Sequence, residues 1–152
     1  MANIFNRDFQ DFIQALNQSQ VDYILVGGYA VILHGYARTT GDMDIWVKAV
    51  GSNYQKLSRA FEVFGMSVFD MTEARFLNTS ENEVFSFGRP PVSIDIITKI
   101  KGLEFDEALA SAEWFDIEGD FRVRVLNLNS LIAAKKASGR NKDLDDIENL
   151  QA

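Results

Sequence analysis

Two short stretches decide how this chain reads: Tyr23-Ile24-Leu25-Val26-Gly27-Gly28 and, thirteen residues later, Asp42-Met43-Asp44-Ile45-Trp46-Val47. The first is an apolar, β-rich run stopped by two glycines, the composition of a buried strand that ends in a tight turn. The second alternates polar and apolar residues, so its side chains divide between two faces. Asp42 and Asp44 leave on one face, while Met43, Ile45 and Val47 leave on the other, towards a core. Two carboxylates this close repel each other and shift each other's titration unless a cation lies between them. An all-oxygen site of this kind suits Mg²⁺, which takes one or two carboxylates and completes its shell with water and substrate phosphates.

A third carboxylate, Asp95, is embedded in Val92-Ser93-Ile94-Asp95-Ile96-Ile97. A charge inside a β-rich run is costly unless it is paired or bound to metal. If this strand lies beside the Asp42/Asp44 strand, three carboxylates can hold two ions about 3.5–4 Å apart. Such a pair activates an attacking oxygen and stabilises a leaving pyrophosphate in an in-line displacement. Gly27 and Gly28, after a strand and before a helix, let backbone N–H groups approach a phosphate closely.

Outward from this centre the chain alternates helices and strands. Asn6 or Asp8 can cap a first helix carrying Phe9, Phe12, Ile13 and Leu16 at helical spacing. Tyr29 to His34 reads as a helix stopped by Gly35, and Tyr54 to Phe64 as another ending at Gly65. The polar stretch from Asp70 to Asn82 shows no clear period. Val84 to Phe87 and Val92 to Ile97 form a hairpin across Gly88-Arg89-Pro90-Pro91; Phe105 to Glu113 is helical. Phe115 to Ile117 and Phe121 to Leu126 form a second hairpin around Glu118-Gly119-Asp120. Two helices close the chain, one from Asn129 or Ser130 to Ser138, stopped by Gly139, and one from Lys142 to Leu150. This order predicts an α/β (α+β) fold, a mixed sheet flanked by helices with a C-terminal helical pair. Without repeats or a Pro/Gly/Ser-rich linker, residues 1–152 read as one domain.

Composition narrows the function. The net charge of −7, from 15 basic and 22 acidic residues, argues against broad, sequence-independent nucleic-acid binding, which needs a basic face, and leaves room for a local basic cleft. Metal ions can still reconcile an acidic protein with a triphosphate. There is no cysteine, hence no disulfide framework or thiolate metal site. No apolar stretch approaches the roughly 20 residues of a membrane span, and the N-terminus has no signal-peptide pattern, so the expected location is the cytoplasm.

The pattern Val26-Gly27-Gly28, thirteen residues, then Asp42-Met43-Asp44-Ile45 resembles the signature of the DNA polymerase β-like nucleotidyltransferase superfamily. Within it the chain looks most like the small bacterial branch related to AbiEii-type toxins and other minimal nucleotidyltransferases. That likeness extends through Tyr29-Ala30, His34-Gly35, Arg38-Thr39-Thr40 and Ile94-Asp95-Ile96, then Leu131 to Lys135 and Arg140 to Asp146. The resemblance implies a nucleotidyltransferase fold, an NTP donor with two Mg²⁺ (or Mn²⁺) ions, and transfer of an NMP group with loss of pyrophosphate. It implies Asp42, Asp44 and Asp95 as metal-binding catalytic carboxylates, with Asp95 helping to activate the acceptor. Gly27 and Gly28 would cradle phosphate, with Arg38, Thr39, Thr40, Lys135 and Arg140 as further nucleotide contacts. The acceptor is left open between a tRNA end, a protein hydroxyl and a small molecule. A toxin with an antitoxin partner, or a site completed in a homodimer, is compatible with the same residues. The rival is a non-catalytic nucleotide- or protein-binding module that keeps the fold.

Other conspicuous residues have structural readings. His34, the single histidine, suits packing or hydrogen bonding at its helix end, and Lys135-Lys136 suit a helix C-terminus. Asp143, Asp145 and Asp146 suit the first turns of a helix. Phe9, Phe12, Phe61 and Phe64 read as core.

Overall fold

A computed structural model describes residues 5–36, 40–89, 92–117 and 121–139. The helices are α1 (Arg7–Gln18), α2 (Gly27–Leu33), α3 (Gly51–Phe64), α4 (Glu73–Leu77), α5 (Phe105–Ser111) and α6 (Leu128–Ser138). The strands are β1 (Tyr23–Val26), β2 (Asp42–Val47), β3 (Val84–Arg89), β4 (Val92–Ile97), β5 (Glu113–Asp116) and β6 (Arg122–Val125). They form one six-stranded mixed sheet in the order β3-β4-β2-β1-β6-β5. β2 runs antiparallel to β1 and parallel to β4, and β6 runs parallel to β1. The two hairpins, β3–β4 and β5–β6, form the flanks.

The expected mixed sheet with helices is what forms, and both deciding strands have the bounds read from sequence. Several neighbouring bounds differ, each for a local reason. α2 begins at Gly27 rather than Tyr29, because Gly27 (φ +70) makes the turn out of β1 and enters the helix at once. α3 begins at Gly51, three residues before Tyr54, over a polar first turn that sequence periodicity does not count. Asn53 in that turn is buried, and its side chain is fully used. Its Nδ2 donates to the carbonyls of Asp22 (3.1 Å) and Lys48 (2.9 Å), and its Oδ1 accepts from the Asp22 amide (2.8 Å). It joins the entry of β1, the exit of β2 and α3. Asn53→Ala leaves the Asp22 amide without its acceptor, while the Asp22 and Lys48 carbonyls keep the amides of Lys48 (3.2 Å) and Val50 (3.0 Å). A stability lower by about 1–3 kcal/mol in equilibrium denaturation is expected.

The unplaced polar stretch contains α4, capped by Thr72 Oγ1 accepting from the Arg75 amide (3.3 Å) and anchored by buried Phe76. The helix read as running to Glu113 stops at Ser111; Ala112 is extended and Glu113 opens β5. α6 starts at Leu128, ahead of Asn129, with Asn127 Oδ1 accepting from the Ser130 amide (2.7 Å). The helix expected over Lys142–Leu150 and the turn at Glu118-Gly119-Asp120 lie outside the described residues.

Packing divides along the alternation of β2. Met43, Ile45 and Val47 are buried with Leu25, Ile94 and Ile96. On that side the ring of Phe12 meets Phe61 (5.4 Å) and Phe64 (5.3 Å), and Phe61 meets Phe87 (4.9 Å) edge-on. The opposite face carries Trp46, whose ring meets Phe105 at 5.0 Å. Further along that face the apolar cover ends and the aspartates begin.

Candidate active site

The site is built from the C-terminal end of β1, the start of β2 and the middle of β4. Parallel pairing sets Asp44 opposite Asp95, Asp42 opposite Ser93, and Trp46 opposite Ile97. Paired residues of neighbouring strands project to one side, so Asp42, Asp44, Ser93 and Asp95 share a face. Ser93, 8% exposed, links the acids: its Oγ donates to Asp42 Oδ1 at 2.8 Å and lies 3.5 Å from Asp95 Oδ1. In the sequence Ser93 is one small polar residue of the Val92–Ile97 run. Its signal is its position two residues before Asp95, which puts it on the same face.

Val26 is the register partner of Asp44, so the turn after β1 begins beside that carboxylate. A β-carbon built on Gly27 would run into Asp44 Oδ2, and Gly27 also sits at φ +70. Glycine is therefore required twice, by the backbone angle and by the close approach. A β-carbon on Gly28 would come within 2.7 Å of Thr40 Oγ1, so Thr40 lies directly on the helix entry. Thr40 Oγ1 in turn donates to the Asp42 carbonyl (3.3 Å). Val26, at the N-cap position of α2, has no side chain able to cap the helix.

From the covering side, Leu131 and Lys135 lie one helical turn apart on α6 and are both buried. Lys135, Gly27, Val26 and Asp44 line one cleft of about 160 Å³ with Ile97 and Leu131. The lysine that resemblance marks as a nucleotide contact, and chemistry alone as a helix-end cation, is 7% exposed and lines the same cleft as Asp44. Tyr29 lies beside Asp42. Burial first, and then the negative charge of Asp42, push its hydroxyl above its ordinary pKa. Its ring stacks on Phe5 at 5.0 Å. His34 sits away from this centre, with Nε2 donating to the Leu126 carbonyl (2.7 Å) and its ring against Phe115. Arg38, Thr39 and Arg140 lie outside the described residues.

The strands bring Asp42, Asp44 and Asp95 to one rim without closing a cage. Among the described residues no three acidic or imidazole side chains are gathered tightly enough to hold an ion by themselves.

The mixed sheet with its flanking helices is a fold shared with solved nucleotidyltransferases. A lincosamide antibiotic adenylyltransferase, LnuA, solved with lincomycin bound, superposes with a TM-score of 0.59 at 19% identity, covering 99% of this chain and 98% of that one. ANT(2")-Ia, solved in complex with adenylyl-2"-tobramycin, superposes with a TM-score of 0.55 at 16% identity, covering 93% of this chain and 84% of that one. No curated protein sequence matches the chain. Residues 5–152 match the family model described as nucleotidyl transferase of unknown function (DUF2204), and the chain belongs to that family.

Proposed function

We propose that the protein is a divalent-metal-dependent nucleotidyltransferase that moves an NMP group from an NTP to a hydroxyl of a small molecule. The observation that carries this reading is the register of β2 on β4, which sets Asp44 beside Asp95 and gives Asp42 and Asp95 a common neighbour in Ser93.

The donor set fits Mg²⁺ or Mn²⁺: it is all oxygen, and a carboxylate shell left incomplete by the protein is what these ions fill with substrate phosphates and water. Asp42 and Asp44 would hold metal, and Asp95 would join them. Bound there, two ions would screen the triphosphate and make the acceptor oxygen more nucleophilic. In the reaction the acceptor oxygen bonds to the α-phosphorus while the bond to the α–β bridging oxygen breaks. Pyrophosphate leaves with that electron pair, and the acceptor proton passes to Asp95. The amides of the Gly27-Gly28 turn would orient the triphosphate, which the uncapped entry of α2 favours. Thr40 and Lys135 line its path; Arg38, Thr39 and Arg140 are assigned to the donor on resemblance alone.

A small-molecule acceptor accords with the acidic chain, which disfavours a polyanionic tRNA. It also accords with the antibiotic acceptors of the two similar enzymes. A toxin acting on tRNA or a protein hydroxyl, held by an antitoxin partner, is the reading suggested by the AbiEii resemblance. A labelling assay separates these. Each α-labelled NTP is incubated with Mg²⁺ and, in turn, with lincomycin and tobramycin, total tRNA, or a cell lysate. Label entering the small-molecule fraction is expected; label on tRNA or on a protein overturns that acceptor class. No label anywhere, with no nucleotide bound, leaves the non-catalytic module.

Ser93 should matter here as a positioning residue. A hydrogen bond to a carboxylate contributes about 1.5–3 kcal/mol, roughly 10- to 100-fold in rate if it orders the metal ligands. Ser93→Ala is expected to raise the Mg²⁺ concentration for half-maximal activity severalfold at an unchanged melting temperature, and Ser93→Thr to restore it. An unaltered metal dependence would show that the bridge is only structural.

A further inference from the structure

Among the described residues the sheet has two outer edges, β3 and β5, and they are built differently. β5 is four residues long with an exposed acid at each end, Glu113 and Asp116. Short, charged edges resist pairing with another chain. β3 is six residues long, and from Val84 to Gly88 it carries neither charge nor proline. Val84 stands 52% exposed on it. Beside it runs an open groove of about 520 Å³, lined on the far side by Phe69, which is 70% exposed. That ring is held out on a backbone at φ +49, with the Phe69 amide donating to Ser67 Oγ (3.0 Å).

The direction of each backbone group on β3 follows from its pairing. The Thr98 amide donates to the Glu83 carbonyl (2.9 Å), and these two residues continue the register that pairs Val84 with Ile97. In an antiparallel ladder, hydrogen-bonded and non-hydrogen-bonded pairs alternate. Glu83, Phe85 and Phe87 therefore turn their backbone groups to β4. Val84, Ser86 and Gly88 turn theirs outward, where no strand of the described residues takes them. A donor and an acceptor at every second residue are what an incoming strand requires.

This row is self-complementary. Two copies related by a two-fold axis at Ser86 pair antiparallel, with Ser86 opposite Ser86, Val84 opposite Gly88 and Phe85 opposite Phe87. In this register alone every outward group from Val84 to Gly88 is used in both copies. The exposed valine of one copy falls beside a glycine of the other, large against small. Glu83 falls opposite Arg89, so the sequence sets an acid across from a base at both ends of the pair.

We propose that the protein forms a two-fold dimer through β3, a second copy of this chain being the partner of that edge. The pairing joins the two sheets into one, fills the groove beside each β3 and brings Phe69 of each copy against the other's strand. Ser86 is the register partner of Asp95, so each carboxylate rim then ends one strand's width from the axis. Both rims lie on the same face of the joined sheet. The dimer forms without nucleotide and is independent of transfer activity.

The chain contains no cysteine, so single cysteines report the register without background. Residues paired as Ser86 is with its copy have α-carbons about 5.5 Å apart, within disulfide range. At Val84 the two copies stand roughly 14 Å apart. The wild type is followed by sedimentation velocity over a range of concentrations, and Ser86→Cys and Val84→Cys by non-reducing electrophoresis after mild oxidation. A dimer is expected in the wild type, with covalent dimer accumulating at least about tenfold faster in Ser86→Cys than in Val84→Cys. Ser86→Pro removes the amide that faces the axis and leaves the bonds to β4 in place. It should raise the dimer dissociation constant about tenfold or more, while Ser86→Ala leaves it unchanged; circular dichroism checks that each variant is folded. A wild type that is monomeric at every concentration would overturn the assignment. So would a dimer that neither cross-links preferentially through Ser86→Cys nor weakens in Ser86→Pro.

Discussion

Asp44→Asn is expected to cost at least on the order of 10³-fold in nucleotidyl transfer while leaving the protein folded. The substitution keeps size and shape and removes the charge that would hold a metal, a contribution of several kcal/mol to the transition state, and each 1.36 kcal/mol is tenfold in rate. The stability result separates the readings. Asp44 and Asp95 are opposed in register, and like charges across a strand pair destabilise it. Neutralising Asp44 relieves that repulsion but also takes a negative charge from the cleft it shares with buried Lys135, so the melting temperature should change little. A sharp fall in melting temperature, together with the loss of activity, would assign Asp44 a structural role. Turnover and thermal melts on one preparation give both results.

The second large effect is expected at Gly27. A β-carbon there meets the Asp44 carboxylate and is carried on a backbone at φ +70. Gly27→Ala should therefore lose about 1–2 kcal/mol of stability from backbone strain alone. It should also lose activity out of proportion to that, by two orders of magnitude or more, because the carboxylate must move. Gly35 supplies the control. It also has a left-handed φ (+105), but a β-carbon built there has open space around it. Gly35→Ala should show the conformational cost and little change in turnover. Equal losses of activity in the two variants would mean that the close approach at Gly27 has no catalytic consequence.

The centre of the fold was legible because its pattern is local. The alternation of Asp42 to Val47 fixed which residues face the core and which face the site, and the strand that forms has those bounds. Tyr23 to Val26 followed from β-rich composition and the glycines after it. Legibility failed where the determining contact is remote. The first turn of α3 looks polar in sequence, and only the three hydrogen bonds of Asn53 to β1 and β2 segments explain its burial. Glu113 ends a helical pattern but joins β5 through pairing with Val125, which no local periodicity encodes.

The same distinction runs through the site. That Asp42 and Asp44 share a face is a property of one strand; that Asp95 lies opposite Asp44 is a property of the parallel β2–β4 pairing across some fifty residues. Ser93 went unremarked because its importance appears only when that register sets it opposite Asp42. Lys135 carried two readings, phosphate contact by resemblance and helix-end cation by chemistry. Its burial beside Asp44 follows from the Leu131–Lys135 stripe of α6 packing on the sheet.

The most direct test of the account is a calorimetric titration of non-hydrolysable ATP, GTP, CTP and UTP analogues, with and without Mg²⁺, into the wild type and Asp44→Asn. The account predicts that at least one nucleotide binds the wild type only when Mg²⁺ is present, and that this binding is lost in the variant. Binding of no nucleotide by the wild type, or equal Mg²⁺-independent binding by both proteins, would contradict a metal-dependent transferase site built on these aspartates.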